Sequence, residues 1–344
     1  MKILIEIAQQ TNVHFFKNII KILADKGHEV CVLARDREST LDLLREYSIP
    51  YQSISRAANK RFGLLYELIV RTLRICAIIR RFQPDLIFGR SYSSILAARL
   101  MRRPILIDDD DGRAVGWLNY RIKCLADIIC TPDVLRKQYG HKQKLYSGYK
   151  ELAYLHPNNF KPDGNIWQDL GLEEGERYFI LRFTSLQAFH DVHRKGMSRK
   201  FKSRLIDLLS EKGRVFISSE GEFPEEWKKY QLPLTPGRIH SALYYADIYA
   251  GDSGTMASEA AVLGTPSIFM LTLEGSLFGI KELEEKYGLL FGFQHDQEDE
   301  CLKEINSLMN MENLKETWAA KRAKMIEEKI DVAEYYVRII EAMG

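Results

Sequence analysis

The chain is poor in cysteine, and its five cysteines form no recognisable pattern. Cys31, Cys76, Cys124, Cys130 and Cys301 are scattered and odd in number, with no Cys-x-x-Cys pair. That spacing argues against a zinc site and a disulfide framework, and reduced thiols in a cytoplasmic protein are the plain reading. Long apolar runs are also missing: none reaches the ~18 residues of a membrane span. The start, MKILIEIAQQ, has one lysine and an apolar run broken by Glu6, so it reads as a buried strand and not a signal peptide. No short-period repeat or low-complexity tract occurs. With 46 % hydrophobic and 28 % charged residues, the composition excludes a disordered or collagen-like chain.

What the chain does have is length and uneven charge. Its 344 residues exceed one core at about 100–200 residues per domain, so two domains are expected. The net charge of +2 hides a split. Residues 1–150 hold 26 of the 49 lysines and arginines but 15 of the 47 acids, a net of +11, and the remainder nets −9. A basic half joined to an acidic half suggests two domains with different partners.

The first half alternates strand and helix patterns. Strands are expected at 2–8, 28–34, 85–89, 104–108 and 126–131, with helices at 15–26, 39–47, 63–82 and 93–101. Residues 156–165, HPNNFKPDGN, read as a linker. The pattern then restarts, with strands at 177–183, 214–219, 247–251 and 266–270 and helices at 201–212, 255–263 and 280–288. One long helix, 314–343, closes the chain. Near-continuous apolar strands separated by helices indicate parallel sheets covered on both faces, hence an α/β chain of two Rossmann-like, doubly wound domains. Ligands of such sheets bind at the carboxyl ends of the strands.

Five segments could carry chemistry. In DIYAGDSGTMASEAAVLGTPSIFM (247–270) a strand ends in a small polar turn that leads straight into a helix. Unpaired N–H groups at Ser253, Gly254 and Thr255 could hold a diphosphate, and Glu259, one turn on, suits a ribose diol. A plain N-cap with a surface acid reads the same way. In the loop Gln9–His14, His14 is a candidate base or phosphate contact, against a helix-start histidine bonded to backbone. The loop RFTSLQAFHDVHRKG (182–196) packs Arg182, His190, Asp191 and His193 together, a spacing that fits a phosphate or acceptor loop better than a metal site. The run Asp108–Asp111 ends a strand. It reads as a charged, capped turn, as a cation site, or as a source of a general base with a raised pKa. Finally, arginines interleave with Leu, Ile and Tyr in helix 61–82. That pattern suits an anionic membrane surface or a buried helix whose arginines snorkel. Nucleic acid is a poor fit, because no recognition helix, finger or RNP-like motif appears.

The stretches VHFFKNIIKILADKGHEV, GYKELAYLHPNNFKPD, ILRFTSLQAFHDVH, FISSEGEFPEE and GDSGTMASEAAVLGTP carry a resemblance. With them the chain resembles, from end to end, a prokaryotic "domain of unknown function" family (number three hundred and fifty-four), whose members look like GT-B fold proteins. More distantly it is similar to non-hydrolysing UDP-N-acetylglucosamine 2-epimerases and GT-B glycosyltransferases. This implies a GT-B fold: residues 1–160 on the acceptor side, 166–325 on the nucleotide-sugar side, and 326–344 as a helix crossing back to the first domain. It also implies diphosphate binding at Ser253, Gly254 and Thr255 with ribose on Glu259. Arg182 would stabilise the leaving diphosphate, and His14, Asp109, Asp110 and His190 are the catalytic candidates. Arg90-Ser91 stands where the epimerases have an acid, which counts against epimerisation.

The expected activity is glycosyl transfer from a UDP-sugar in making a cell-surface polysaccharide or glycolipid. A UDP-sugar 2-epimerase and a non-catalytic nucleotide-sugar-binding protein are the alternatives. No obligatory cofactor or metal is expected. The expected partners are the nucleotide sugar, a lipid-linked or polysaccharide acceptor and a peripheral anionic membrane contact, with the protein in the cytoplasm at the inner face of the membrane.

Overall fold

In the computed structural model, which describes residues 1–57, 61–183, 197–219, 223–270 and 278–344, the chain divides into two compact units. Met1–Phe160 joins Lys329–Gly344 in the first, and Lys161–Glu328 forms the second.

The first unit holds strands β1 (Lys2–Ile7), β2 (Glu29–Asp36), β3 (Gln52–Arg56), β4 (Leu86–Gly89), β5 (Ile105–Asp108), β6 (Ile128–Pro132) and β7 (Gln143–Tyr146). They form one parallel sheet in the order β3-β2-β1-β4-β5-β6-β7. Its helices are α1 (Gln10–Asp25), α2 (Thr40–Glu46), α3 (Arg61–Phe82), α4 (Tyr92–Met101), α5 (Trp117–Lys123) and the single turn α6 (Leu152–Leu155). The central strands are near-continuously apolar because both faces are covered, and β4 (LIFG) and β5 (ILID) are fully buried, the terminal Asp108 included. Ile75, Ile79, Ile95 and Ala98 of α3 and α4 share one core with Ile87 and Ile105 of the sheet.

The second unit runs α7 (Ile166–Asp169), β8 (Tyr178–Phe183), α8 (Arg199–Ser210), β9 (Arg214–Ser219), α9 (Ile239–Tyr245), β10 (Ile248–Gly251), α10 (Gly254–Leu263), β11 (Ser267–Met270), α11 (Phe278–Glu285), β12 (Leu290–Phe293), α12 (Glu298–Met309) and α13 (Leu314–Glu328). Its parallel sheet has the order β12-β11-β10-β8-β9. In both sheets the strand order reverses beside the first strand, between β1 and β4 and between β8 and β10. Such a switch point opens a crevice at the carboxyl ends of the strands.

The chain then returns to the first unit through α14 (Val332–Glu341). Asp331 caps this helix, its carboxylate accepting the N–H groups of Ala333 and Glu334. Tyr336 packs edge-on to Phe15 of α1 at 5.4 Å between ring centroids and lies 4.9 Å from Phe88 of β4. Val332, Ala333, Val337 and Ile340 fill the same interface.

Three expectations need correction. The single closing helix 314–343 is two helices, because Asp331 caps a new start beyond the end of α13 at Glu328. The first helix begins at Gln10 and not at 15, so the segment read as a loop before His14 is helical. The edge strands β3, β7 and β12 were not foreseen, and each is short and partly exposed.

Candidate functional site

In the second unit, β8 and β10 run side by side with Gly251 opposite Arg182. A Cβ at Gly251 would lie 2.5 Å from the Arg182 carbonyl oxygen, so only glycine lets the two strand ends approach this closely. The backbone N–H of Asp252 donates to that same carbonyl at 3.2 Å. Ser253 then caps α10, its hydroxyl accepting the Met256 N–H. Gly254 and Thr255 follow in the first turn, half-buried, where N–H groups lack intrahelical partners and the dipole favours an anion.

Charged side chains converge on this turn from three elements. Arg182, next to last in β8, is buried and donates to Ser218 of β9 at 2.9 Å. Lys202 of α8 is buried with its ammonium 5.1 Å from the centre of the Phe183 ring, and burial lowers its pKa against the pull of Asp252. Glu259 is 4 % exposed, one oxygen 3.2 Å from His240 Nε2 of α9. Tyr249 of β10 directs its hydroxyl to the Ser253 carbonyl at 3.3 Å. Burial pushes that hydroxyl well above its ordinary value, and the Asp252 charge adds to the shift. The structure therefore gathers five of the expected residues, Arg182, Ser253, Gly254, Thr255 and Glu259, at one switch point. It places Glu259 inside the protein beside a histidine, not on an open surface. His190, with Asp191 and His193, lies outside the described residues.

The first unit carries two buried polar networks at the carboxyl ends of its strands. Glu6, wholly buried in β1, accepts from Ser93 at 2.6 Å and from Ser91, and pairs with Arg71 of α3 at 3.3 Å. Arg71 also meets Glu67, which takes a bidentate pair from Arg35 at 2.6 Å per bond. Two carboxylates and two guanidinium groups thus neutralise one another, as buried charge requires.

The aspartate run forms the second network, and its members differ. Asp109 is 2 % exposed and fully engaged: it accepts from Tyr139 at 2.5 Å, from the N–H groups of Asp111 and Gly112, and from Lys123. Asp110 bridges Arg90 at 2.6 Å and Lys150 at 2.5 Å. Burial raises its carboxyl, but Lys150 and then Arg90 outweigh burial and hold it well below the ordinary carboxylate range. Asp108 behaves oppositely. Burial raises it, Arg90 at 3.2 Å opposes, and the Asp110 charge adds to the rise, while Tyr146 and Tyr336 donate to its Oδ1. Raised acids do exist in the run, but they are Asp108 and Asp111, not Asp110; burial lifts Asp111 and the Asp110 charge adds to the rise. One oxygen each of Asp109, Asp110 and Asp111 lies within 4.8 Å of the others. Lys123, Lys150 and Arg90 already supply the positive charge that a cation would bring to them.

His14 sits one turn into α1 and is buried. Its Nδ1 lies 3.2 Å from the Tyr47 hydroxyl and its ring stacks on Tyr154 at 5.7 Å. The sequence did not single out His240 and Lys202, and it marked Glu6 and Arg71 only as a charge in the first apolar run and as one of the interleaved arginines of helix 61–82. A charge inside the apolar run KILIEI was the one available signal for Glu6. The lone His240 offered none.

An uncharacterized protein of Methanocaldococcus jannaschii is 20 % identical over 277 residues, covering 77 % of this chain and 80 % of that protein. Among solved structures, the UDP-GlcNAc 2-epimerase from Neisseria meningitidis bound to UDP-GlcNAc superposes with a TM-score of 0.63 at 15 % identity, covering 100 % of this chain and 99 % of that one. A glycosyltransferase of Streptomyces sp. SF2575 superposes with a TM-score of 0.60 at 14 % identity, with 99 % of each chain covered. Together with the two parallel sheets, these likenesses establish the GT-B fold. A family model described as "Protein of unknown function (DUF354)" matches residues 1–289, and the chain belongs to that family.

Proposed function

We propose that this chain is a glycosyltransferase that uses a nucleotide sugar, a UDP-sugar, to build a cell-surface polysaccharide or glycolipid. The observation that carries the reading is the start of α10. A capped helix N-terminus, Arg182 and a buried Glu259 meet at the strand-order switch of the second unit. In this reading the diphosphate rests on the Gly254 and Thr255 N–H groups and on Arg182. The ribose hydroxyls donate to Glu259. Preorganised N–H groups and a guanidinium stabilise the leaving diphosphate without a reorganisation cost. Solved neighbours that hold UDP or UDP-GlcNAc support a nucleotide sugar as the ligand.

The first unit takes the acceptor. His14 is the base, its ring orientation set by Tyr47 and Tyr154. Asp109 and Asp110 hold the surrounding turn, since the four bonds to the first and the two cations on the second leave them ill-suited to accept a proton. The epimerase reading shares the fold but needs two acid–base groups. Its first place is filled here by Arg90, which is paired with Asp108 and Asp110.

Incubation with UDP-GlcNAc alone, followed by proton NMR, separates the two. No change is expected without an acceptor, and rapid appearance of UDP-ManNAc would overturn the transferase reading. With donor and acceptor present, His14→Ala is expected to abolish turnover and spare donor binding. Full activity in that variant would exclude His14 as the base.

A further inference from the structure

The outward face of α3 is apolar where a surface helix is normally polar. Leu65, Ile69 and Leu73, spaced four residues apart on one stripe, are 60 %, 52 % and 59 % exposed, and Leu64 and Tyr66 flank them, also exposed. The opposite face of the same helix is already committed. It buries Ile75 and Ile79 in the sheet core and Glu67 and Arg71 in the ion network. The sheet therefore accounts for one apolar side of the helix and leaves the other in water. α4 packs against both α3 and α5. It exposes Leu100, and α5 exposes Trp117 and Leu118, the tryptophan at 74 %.

Charge on this surface is predominantly positive. Between residues 63 and 127 seven arginines are exposed, among them Arg74, Arg81, Arg113 and Arg121, against the exposed Asp85 and the half-buried Asp127, which pairs with Arg99 at 2.7 Å. The guanidinium groups of Arg113 and Arg121 lie over the rings of Tyr120 and Trp117 at 5.0 and 5.8 Å. A solvated face would mix signs and scatter its apolar residues. Aliphatic side chains on a stripe, an exposed tryptophan and arginines that far outnumber the acids fit the boundary of an anionic bilayer. There, acyl chains take the leucines, the aromatic ring sits at headgroup depth and phosphates take the guanidinium groups. No helix among the described residues is long and apolar enough to cross a membrane, so such contact is peripheral.

We propose that the exposed faces of α3, α4 and α5 dock the protein on an anionic lipid surface. This goes beyond the nucleotide-sugar reading and does not depend on it. The test is co-sedimentation of the full chain with phosphatidylcholine vesicles, with and without phosphatidylglycerol. Binding to the anionic vesicles is expected, with a partition coefficient that falls about tenfold or more on moving from low salt to high. Leu65→Gln, Ile69→Gln and Leu73→Gln combined should lower partitioning about tenfold or more with the melting temperature kept, because all three side chains already face water. Arg81→Gln with Arg121→Gln should weaken binding several-fold and flatten the salt dependence. Absence of sedimentation at low salt, equal partitioning onto neutral vesicles, or an unaffected triple variant would overturn the proposal. So would a wild-type dimer that the triple variant splits, since the patch would then belong to a second copy of the chain.

Discussion

Replacing Glu259 by alanine should weaken UDP binding by about 10- to 100-fold. The estimate follows from the surroundings of the carboxylate. It is 4 % exposed, so water cannot replace a lost hydrogen bond. A hydrogen bond to a charged group is worth about 1.5–3 kcal/mol, and each 1.4 kcal/mol is about tenfold in affinity. The substitution also acts without ligand. His240 Nε2, 3.2 Å from the carboxylate in a buried pocket, loses that partner, at a cost of about 1–3 kcal/mol in folding stability. The two effects separate in a double-mutant cycle. Titration calorimetry with UDP and urea unfolding are run on the wild type, Glu259→Ala, His240→Ala and the double variant. Coupling of about 0.5–3 kcal/mol in the unfolding arm is expected for residues in contact. In the binding arm, His240→Ala should weaken UDP less than Glu259→Ala, because the histidine orients the carboxylate and does not meet the ligand. A folded Glu259→Ala protein with unchanged calorimetric affinity would remove Glu259 from the site and with it the ribose assignment.

Other expectations are as specific. Tyr336→Phe removes the hydroxyl that donates to Asp108 and should cost about 1–2 kcal/mol in urea unfolding, whereas Tyr336→Ala also empties the space beside Phe15 and Phe88 and should cost about 3–5 kcal/mol; equal losses would refute the assignment of a separate hydrogen-bond contribution. Burial raises the Asp108 carboxyl above its unfolded value of about 3.9, so its contribution to stability is full below that pH and is lost as pH rises through the folded value. Asp108→Asn should therefore lose less stability than wild type between acid and neutral pH, and chemical denaturation showing a larger loss would contradict this. Burial pushes the Cys130 and Cys301 thiols up to about 12, so near neutral pH both should resist iodoacetamide until the chain unfolds; mass spectrometry finding either alkylated rapidly in the native protein would contradict the burial assigned to it.

The parts of the fold legible in the sequence are those buried on two sides. KILIEI, LIFG, ILID and IYAG read as strands because helices cover both faces of the sheet, which forces a near-continuous apolar run. The edge strands β3 (QSISR) and β7 (QKLY) lack one neighbour, keep polar residues and give no such run, whereas the edge strand β12 (LFGF) is apolar but only four residues long. The same contrast holds for the site. The turn 252–255 was legible because strand, small polar turn and helix are consecutive in the chain. The partnership of Glu259 with His240 spans 19 residues, and that of Asp110 with Lys150 spans 40; nothing local encodes either. Four aspartates in a row suggested mutual repulsion and a raised pKa. Only the tertiary structure assigns Asp110 its two cations and leaves Asp108, on the same strand end, among tyrosines.

The return of the chain through α14 sets an order of events during synthesis. Lys161–Glu328 is contiguous, so the second unit can close as soon as it leaves the ribosome. The first unit is begun earlier yet completed after the second, because Phe15 and Phe88 gain Tyr336 only when residues 332–341 emerge. A nascent chain halted before residue 332 therefore carries an uncovered aromatic face on its older half.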